Sequence, residues 1–154
     1  MPRVLVVDDS LIVRRNMQKF LTKLSFEVIG EAKNGLEAIE MCSKFSPDLI
    51  TMDITMPDMD GITAVKRIRE FDKNVKIIMS TSHGQEKMVL DSIKSGARGY
   101  MLKPITEEKL LNTLKKVFPL HRFIDENCYK YTGSDKPIEE IHEIDIANMD
   151  EEKQ

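Results

Sequence analysis

The chain has 154 residues, of which 41% are hydrophobic and 32% charged, with a formal net charge of −3. That is enough apolar material for one domain with a sizeable core and some chain to spare. The mixed charges give no basic excess for nucleic acid and no reason to expect membrane insertion, which leaves proteins or small molecules as partners.

The opening MPRVLVVDDS holds an apolar run too short for a signal core or a membrane span. Cys42 and Cys128 lie far apart, without a CxxC spacing. A cytoplasmic protein with reduced thiols is therefore expected, with Cys42 packed inside a helix face.

Residues 4–7 predict a first strand, short and continuously apolar. Behind Ser10, a candidate N-cap, Val13, Met17, Phe20, Leu21 and Leu24 recur at helical spacing. Residues 27–32 predict the second strand. Leu36, Ile39 and Cys42 follow Asn34-Gly35 as a second helix that Pro47 ends. The third strand is expected at 49–52, and Val65, Ile68 and Phe71 predict a third helix after Gly61. Residues 75–79 predict the fourth strand, before a helix with Val89 and Ile93 that stops near Gly96. After a fifth strand at 99–102, Thr106 caps a helix whose apolar face is Leu110, Leu114 and Val117.

Such alternation predicts an α/β fold, a parallel sheet covered on both faces by right-handed crossovers. In such sheets a ligand sits at the carboxyl ends of the strands, where strand order reverses. Past residue 118 the composition changes. Residues 119–154 hold four basic and ten acidic side chains, a net −6, whereas residues 1–118 hold 19 basic and 16 acidic, a net +3. The division expected is a domain over 1–118 and an acidic C-terminal extension over 119–154, partly ordered or docking. Phe123, Tyr129, Tyr131, Ile138, Ile141 and Ile144 make that extension more apolar than a purely solvated tail requires.

Asp8 and Asp9 follow the first strand and Asp53 the third. If those strands are neighbours, three carboxylates converge, and like charges so close need a cation. A hard divalent ion such as Mg²⁺ suits oxygen ligands and leaves coordination positions for phosphate oxygens. Lys103, before Pro104, brings a positive charge to the same edge, and Thr81 with Ser82 brings hydroxyls. Together they suit a phosphoryl group on Asp53, which would act as the nucleophile and form an acyl phosphate. Pro57 and Gly61 shape the loop after Asp53 and are expected to leave its oxygen exposed.

The segments VLVVDDS, DLITMDITMPDMDG, IIMSTS and GYMLKP resemble the receiver domain of two-component response regulators, above all the stand-alone chemotaxis type. The resemblance covers residues 3–118. It implies a flavodoxin-like doubly wound (βα)5 sheet of strand order 2-1-3-4-5. It also implies Asp53 as phosphoacceptor and Mg²⁺ (or Mn²⁺) held by Asp8, Asp9, Asp53 and the backbone carbonyl of Thr55, with Asp9 a direct ligand and Asp8 acting through water. Lys103 would neutralise the phosphoryl group, and the peptide before Pro104 would be cis. Thr81 and Tyr100 would be the switch, moving as the face made by the fourth helix, fifth strand and fifth helix rearranges. Thr55 and His83 would tune the lifetime of the phosphoryl group. The donor implied is a sensor histidine kinase.

Competing chemistries fit less well. A haloacid-dehalogenase-like phosphatase wants a second aspartate two residues after the nucleophile, and Thr55 stands there. An EF-hand register on DMDG would need a carboxylate at Met56 and a glutamate at Arg67. No glycine is placed for a GxxxxGK[ST] loop. The expectation is a signalling switch rather than an enzyme, acting on a flagellar switch or other protein target. The alternatives are a phosphorelay intermediate that serves a histidine phosphotransfer protein, or an output carried by the C-terminal extension.

Overall fold

The computed structural model describes residues 1–82 and 86–122. His83, Cys128 and residues 123–154 of the extension lie outside them. Strands and helices alternate through β1 (Arg3–Val7), α1 (Leu11–Lys23), β2 (Glu27–Ala32), α2 (Gly35–Phe45) and β3 (Leu49–Asp53), then α3 (Gly61–Phe71), β4 (Lys76–Thr81), α4 (Glu86–Lys94), β5 (Gly99–Leu102) and α5 (Glu107–Val117). The strands form a parallel sheet in the order β2-β1-β3-β4-β5. The flavodoxin-like arrangement expected from the sequence is the one found.

Burial on both faces explains why β1, β3 and most of β4 are continuously apolar. Leu5, Val7, Ile50, Met52, Ile77 and Met79 enter one core with residues of α2, α3 and α4. Their neighbours Val4, Val6, Leu49 and Ile78 enter the other, against Met17 and Leu21 of α1 and Leu110 and Leu114 of α5. A period of two thus distributes each strand between two helical layers. Cys42 is buried at α2, as expected, and burial pushes its thiol up to about 11.

Side-chain caps start the helices. Ser10 Oγ accepts from the N–H of Val13 at 3.4 Å, Asn34 Oδ1 from Glu37 at 2.9 Å, Asp60 Oδ1 from Thr63 at 2.8 Å and Thr106 Oγ1 from Lys109 at 3.2 Å. The caps Asn34 and Asp60 add to the sequence reading.

Some boundaries and faces differ from the sequence reading. β3 includes Asp53 itself, and β4 runs from Lys76 to Thr81. Val75 stays out of the ladder because its N–H is taken by Asp72 Oδ1 at 3.0 Å. Leu36, Phe71 and Ile93 fit their helical patterns in sequence, yet all three are exposed. The C-terminal side of α5 is held at its start. Phe118 packs edge-on against Phe26 at 5.4 Å, and His121 Nε2 lies 3.0 Å from the carbonyl of Leu24.

Candidate functional site

β1 pairs with β2 on one side and β3 on the other, so strand order reverses at β1 and a crevice opens beyond the carboxyl ends of β1 and β3. Asp8 follows β1 directly and Asp53 is the last residue of β3. Carboxylate oxygens of Asp8, Asp9 and Asp53 lie within 4.8 Å of one another. Asp9 is exposed, whereas Asp8 and Asp53 are only 2% and 5% exposed. The prediction of an exposed Asp53 oxygen is therefore corrected: at the end of β3 the Asp53 side chain is almost wholly buried.

Lys103 bridges the pair. Its Nζ stands 3.1 Å from Asp8 Oδ2 and 3.2 Å from Asp53 Oδ2. The contact to Asp8 is an ion pair rather than an aligned hydrogen bond, since this buried oxygen has no hydrogen-bond partner. Burial, then the Asp8 charge, pushes the Asp53 carboxyl up to about 6, against the opposing pull of Lys103 and a backbone hydrogen bond from Thr55. Burial weighs on the charged form of Lys103, but Asp53 and Asp8 together hold its ammonium above the usual lysine range. Three carboxylates, each able to offer an oxygen within 4.8 Å of the others and two of them buried, fit a hard divalent cation.

The backbone around these groups is held by other residues. The Asp8 carboxylate accepts from the N–H of Ser10 at 2.8 Å, and Arg14, 7% exposed, donates to the carbonyl of Asp8 at 2.7 Å. Arg14 Nε in turn stands 3.4 Å from Glu31. The Lys103–Pro104 peptide is cis. Lys109 donates to the carbonyls of Leu102 and Pro104, at 3.1 and 3.0 Å, and so ties down the residues flanking Lys103. Sequence reading passed over Arg14 and Lys109 because a basic side chain on a helix carries no mark of the carbonyl it will meet.

Thr81 ends β4, buried, with its hydroxyl 3.3 Å from the carbonyl of Ser82. Ser82 itself is exposed. Thr81 pairs with Leu102 across β4 and β5, so it shares the edge with Lys103. Thr55 is exposed just beyond Asp53. Tyr100 lies outside the core, 51% exposed on β5, and Leu90 and Ile93 of α4 are exposed as well. The structure thus brings Asp8, Asp9, Asp53 and Lys103 together in one cluster and places Thr55 and Thr81 along the same edge.

A doubly wound parallel sheet with this acidic crevice and its lysine defines a receiver-type signalling domain. The model of the response regulator receiver domain matches residues 4–115, and the chain belongs to that family. It is 46% identical over 114 residues to the chemotaxis protein CheY of Bacillus subtilis, covering 74% of this chain and 95% of that one. The CheY of Thermotoga maritima is 45% identical over 115 residues, 75% of this chain and 96% of its own. Among solved structures, the CheX-CheY-BeF3-Mg+2 complex from Borrelia burgdorferi superposes with a TM-score of 0.72 at 38% identity, covering 75% of this chain and 88% of that one. The protein is accordingly a CheY-like response regulator of the two-component type, and CheY-like receivers are signalling switches. Receiver domains bind Mg²⁺ at an acidic pocket, and Asp8, Asp9 and Asp53 form such a group here. Among the described residues no helix is long and apolar enough to cross a membrane.

Proposed function

We propose that the protein accepts a phosphoryl group on Asp53 from the phosphohistidine of a sensor kinase and thereby switches a protein contact in chemotaxis signalling, in the cytoplasm. The observation that carries this reading is Lys103 Nζ, placed between Asp8 and Asp53 at 3.1 and 3.2 Å within the carboxylate cluster. A carboxylate oxygen of Asp53 attacks phosphorus as the P–N bond breaks, and the imidazole leaves with the electron pair and takes up a proton. Lys103 then turns from Asp53 to a phosphoryl oxygen, where its charge offsets the charge that builds up. Asp8, Asp9, Asp53 and the carbonyl of Thr55 would hold Mg²⁺, which when bound would supply further charge neutralisation and orientation for the phosphoryl oxygens.

The Thr81 hydroxyl, now turned toward the Ser82 carbonyl, reorients to the phosphoryl group, and Tyr100 changes rotamer on the α4–β5–α5 face. Thr55 and His83 set how readily water reaches the acyl phosphate. The receiver spans residues 1–118 and the rest is an appended acidic segment.

Two measurements test the reading. Labelling by a small phosphodonor with Mg²⁺ should vanish in Asp53→Asn, and persistent labelling would overturn the assignment of the acceptor. Fluoroberyllate should tighten binding to a flagellar switch peptide by about tenfold, close to 1.4 kcal/mol. Unchanged affinity would remove the motor as the target and favour transfer to a histidine phosphotransfer protein.

A further inference from the structure

The helices of a parallel α/β sheet all run against the strands, so their C-termini gather at the edge where the strands begin, opposite the carboxylate cluster. In this chain the last turns there are basic: Arg69 in α3, Lys94 in α4, and Lys115 and Lys116 in α5. Lys73 in the α3–β4 loop, Lys76 at the start of β4 and Arg98 just before β5 extend the set. Lys73, Lys94, Arg98 and Lys116 are exposed. Of the acidic groups at this edge, Asp48 accepts from the N–H of Arg3 at 2.8 Å and Asp72 from those of Asn74 and Val75 at 2.9 and 3.0 Å. With Glu27, Glu70 and the exposed Asp91 in the last turn of α4, they are the opposing charges, and the basic groups outnumber them.

The chain leaves α5 at this same corner. Lys76 Nζ sits 4.1 Å above the Phe118 ring, and Phe118 also lines an open depression of about 630 Å³, where Met1, Pro2, Pro47 and Val75 alternate with the polar Asp48 and Asp72. His121 packs tilted against Phe26, ring centroids 4.4 Å apart, so the remaining chain departs from the α1–β2 side of this edge. Residues 123–154 then carry ten acidic and three basic side chains, a net −7. The opposite edge suits such a segment less well, because the exposed Asp9, Asp58, Asp60, Glu86 and Glu108 outnumber the exposed Lys33, Lys87 and Lys109 there.

We propose that residues 123–154 fold back onto the basic corner formed by Lys73, Lys76, Lys94, Arg98, Lys115 and Lys116, docking within the same molecule at the edge remote from the carboxylate cluster. Phe123 and Ile124, the first apolar residues of the segment, are placed in sequence to enter the depression beside Phe118. The tether keeps the local concentration of acidic chain high, so weak surface attractions suffice to hold it. The site stays open to donors while the corner is covered.

The test uses the full chain with Cys128→Ser and Met149→Cys, carrying a nitroxide at position 149, and reads paramagnetic loss of amide intensity. Position 149 lies far enough along the chain, about 30 Å root-mean-square as a coil, to sample either edge if nothing holds it. The result expected is loss at the amides of Lys73, Lys76, Lys94 and Arg98, with Lys33 and Thr106 at the other edge unaffected. The pattern should fade in Lys94→Glu/Arg98→Glu/Lys116→Glu. It should also fade in the unreversed protein at about 1 M salt, where the screening length is near 3 Å. Even broadening at both edges, or a pattern that survives that salt, would overturn the proposal. So would broadening that appears in isotope-labelled protein mixed with nitroxide-carrying protein, since that assigns the corner to a second copy.

Discussion

Gly61 approaches Asp53 so closely that a β-carbon at position 61 would collide with the carbonyl oxygen of Asp53 and press on the methyl of Met79. The N–H of Gly61 also donates to the carbonyl of Ile54 at 2.7 Å. The start of α3 is thereby packed directly under the strand end that carries the candidate phosphoacceptor.

Gly61→Ala should therefore act on both folding and the site. Backbone cannot yield as a flexible side chain does, so the expected loss is about 1–3 kcal/mol of stability. Urea unfolding measures that loss, and donor-driven labelling should slow in the same variant as Asp53 is displaced. Unchanged stability would mean that α3 can shift without strain.

Asp53→Asn should stabilise the metal-free protein near neutral pH. Folding raises the Asp53 carboxyl from 3.8 to about 6, mainly through burial and then through Asp8. The folded state thus binds this proton more tightly than the unfolded chain, so the contribution of Asp53 to stability falls as pH rises through the window and is fully unfavourable above it. With screening at the open crevice, the gain in the variant is of order 1 kcal/mol at pH 7 and nil below about pH 4. Parallel urea titrations of both proteins across that range check the sign.

Mg²⁺ and the proton compete for the same carboxyl. Because Asp53 titrates at about 6 without metal, Mg²⁺ affinity should fall as pH drops through that value, approaching tenfold per pH unit below it. Calorimetric titration at several pH values reads this directly, and it suits a chain without tryptophan. An affinity independent of pH between 5 and 7 would place the ion away from Asp53.

Arg14 should support the cluster without touching its ligand. Its guanidinium donates to the Asp8 carbonyl at 2.7 Å from a position only 7% exposed. Arg14→Ala leaves that carbonyl without its donor and leaves Glu31 with Arg15 alone, at an expected cost of about 1–3 kcal/mol. It should also weaken Mg²⁺ binding, because the β1–α1 turn that aims Asp8 and Asp9 loses its brace. Arg14→Lys, which keeps the charge without the planar fork, should recover part of the stability.

Much of the architecture was legible because strand and helix periods are strong local signals. Continuous apolar runs marked strands covered on both faces, and their alternation with helical patterns implied the parallel sheet. The details that escaped are those set by neighbours distant in sequence. Val75 has the composition of a strand residue, yet the Asp72 carboxylate captures its N–H and delays β4 by one residue. Phe71 and Ile93 keep helical spacing but fall at the margin of the covered faces, where about half of each side chain stays exposed.

Reading along the chain was enough to mark the acidic pair after β1, the aspartate at the end of β3, the lysine before Pro104 and the change of charge past residue 118. These are identities and spacings. That β1 and β3 lie side by side, and that Lys103 reaches both buried carboxylates, follows only from the packed fold. So do the brace of Arg14 on Asp8 and the closure of Gly61 against Asp53. The reason is physical: a charge's partner and its shelter from water depend on which segments the packed core brings together, and no local pattern encodes that distance.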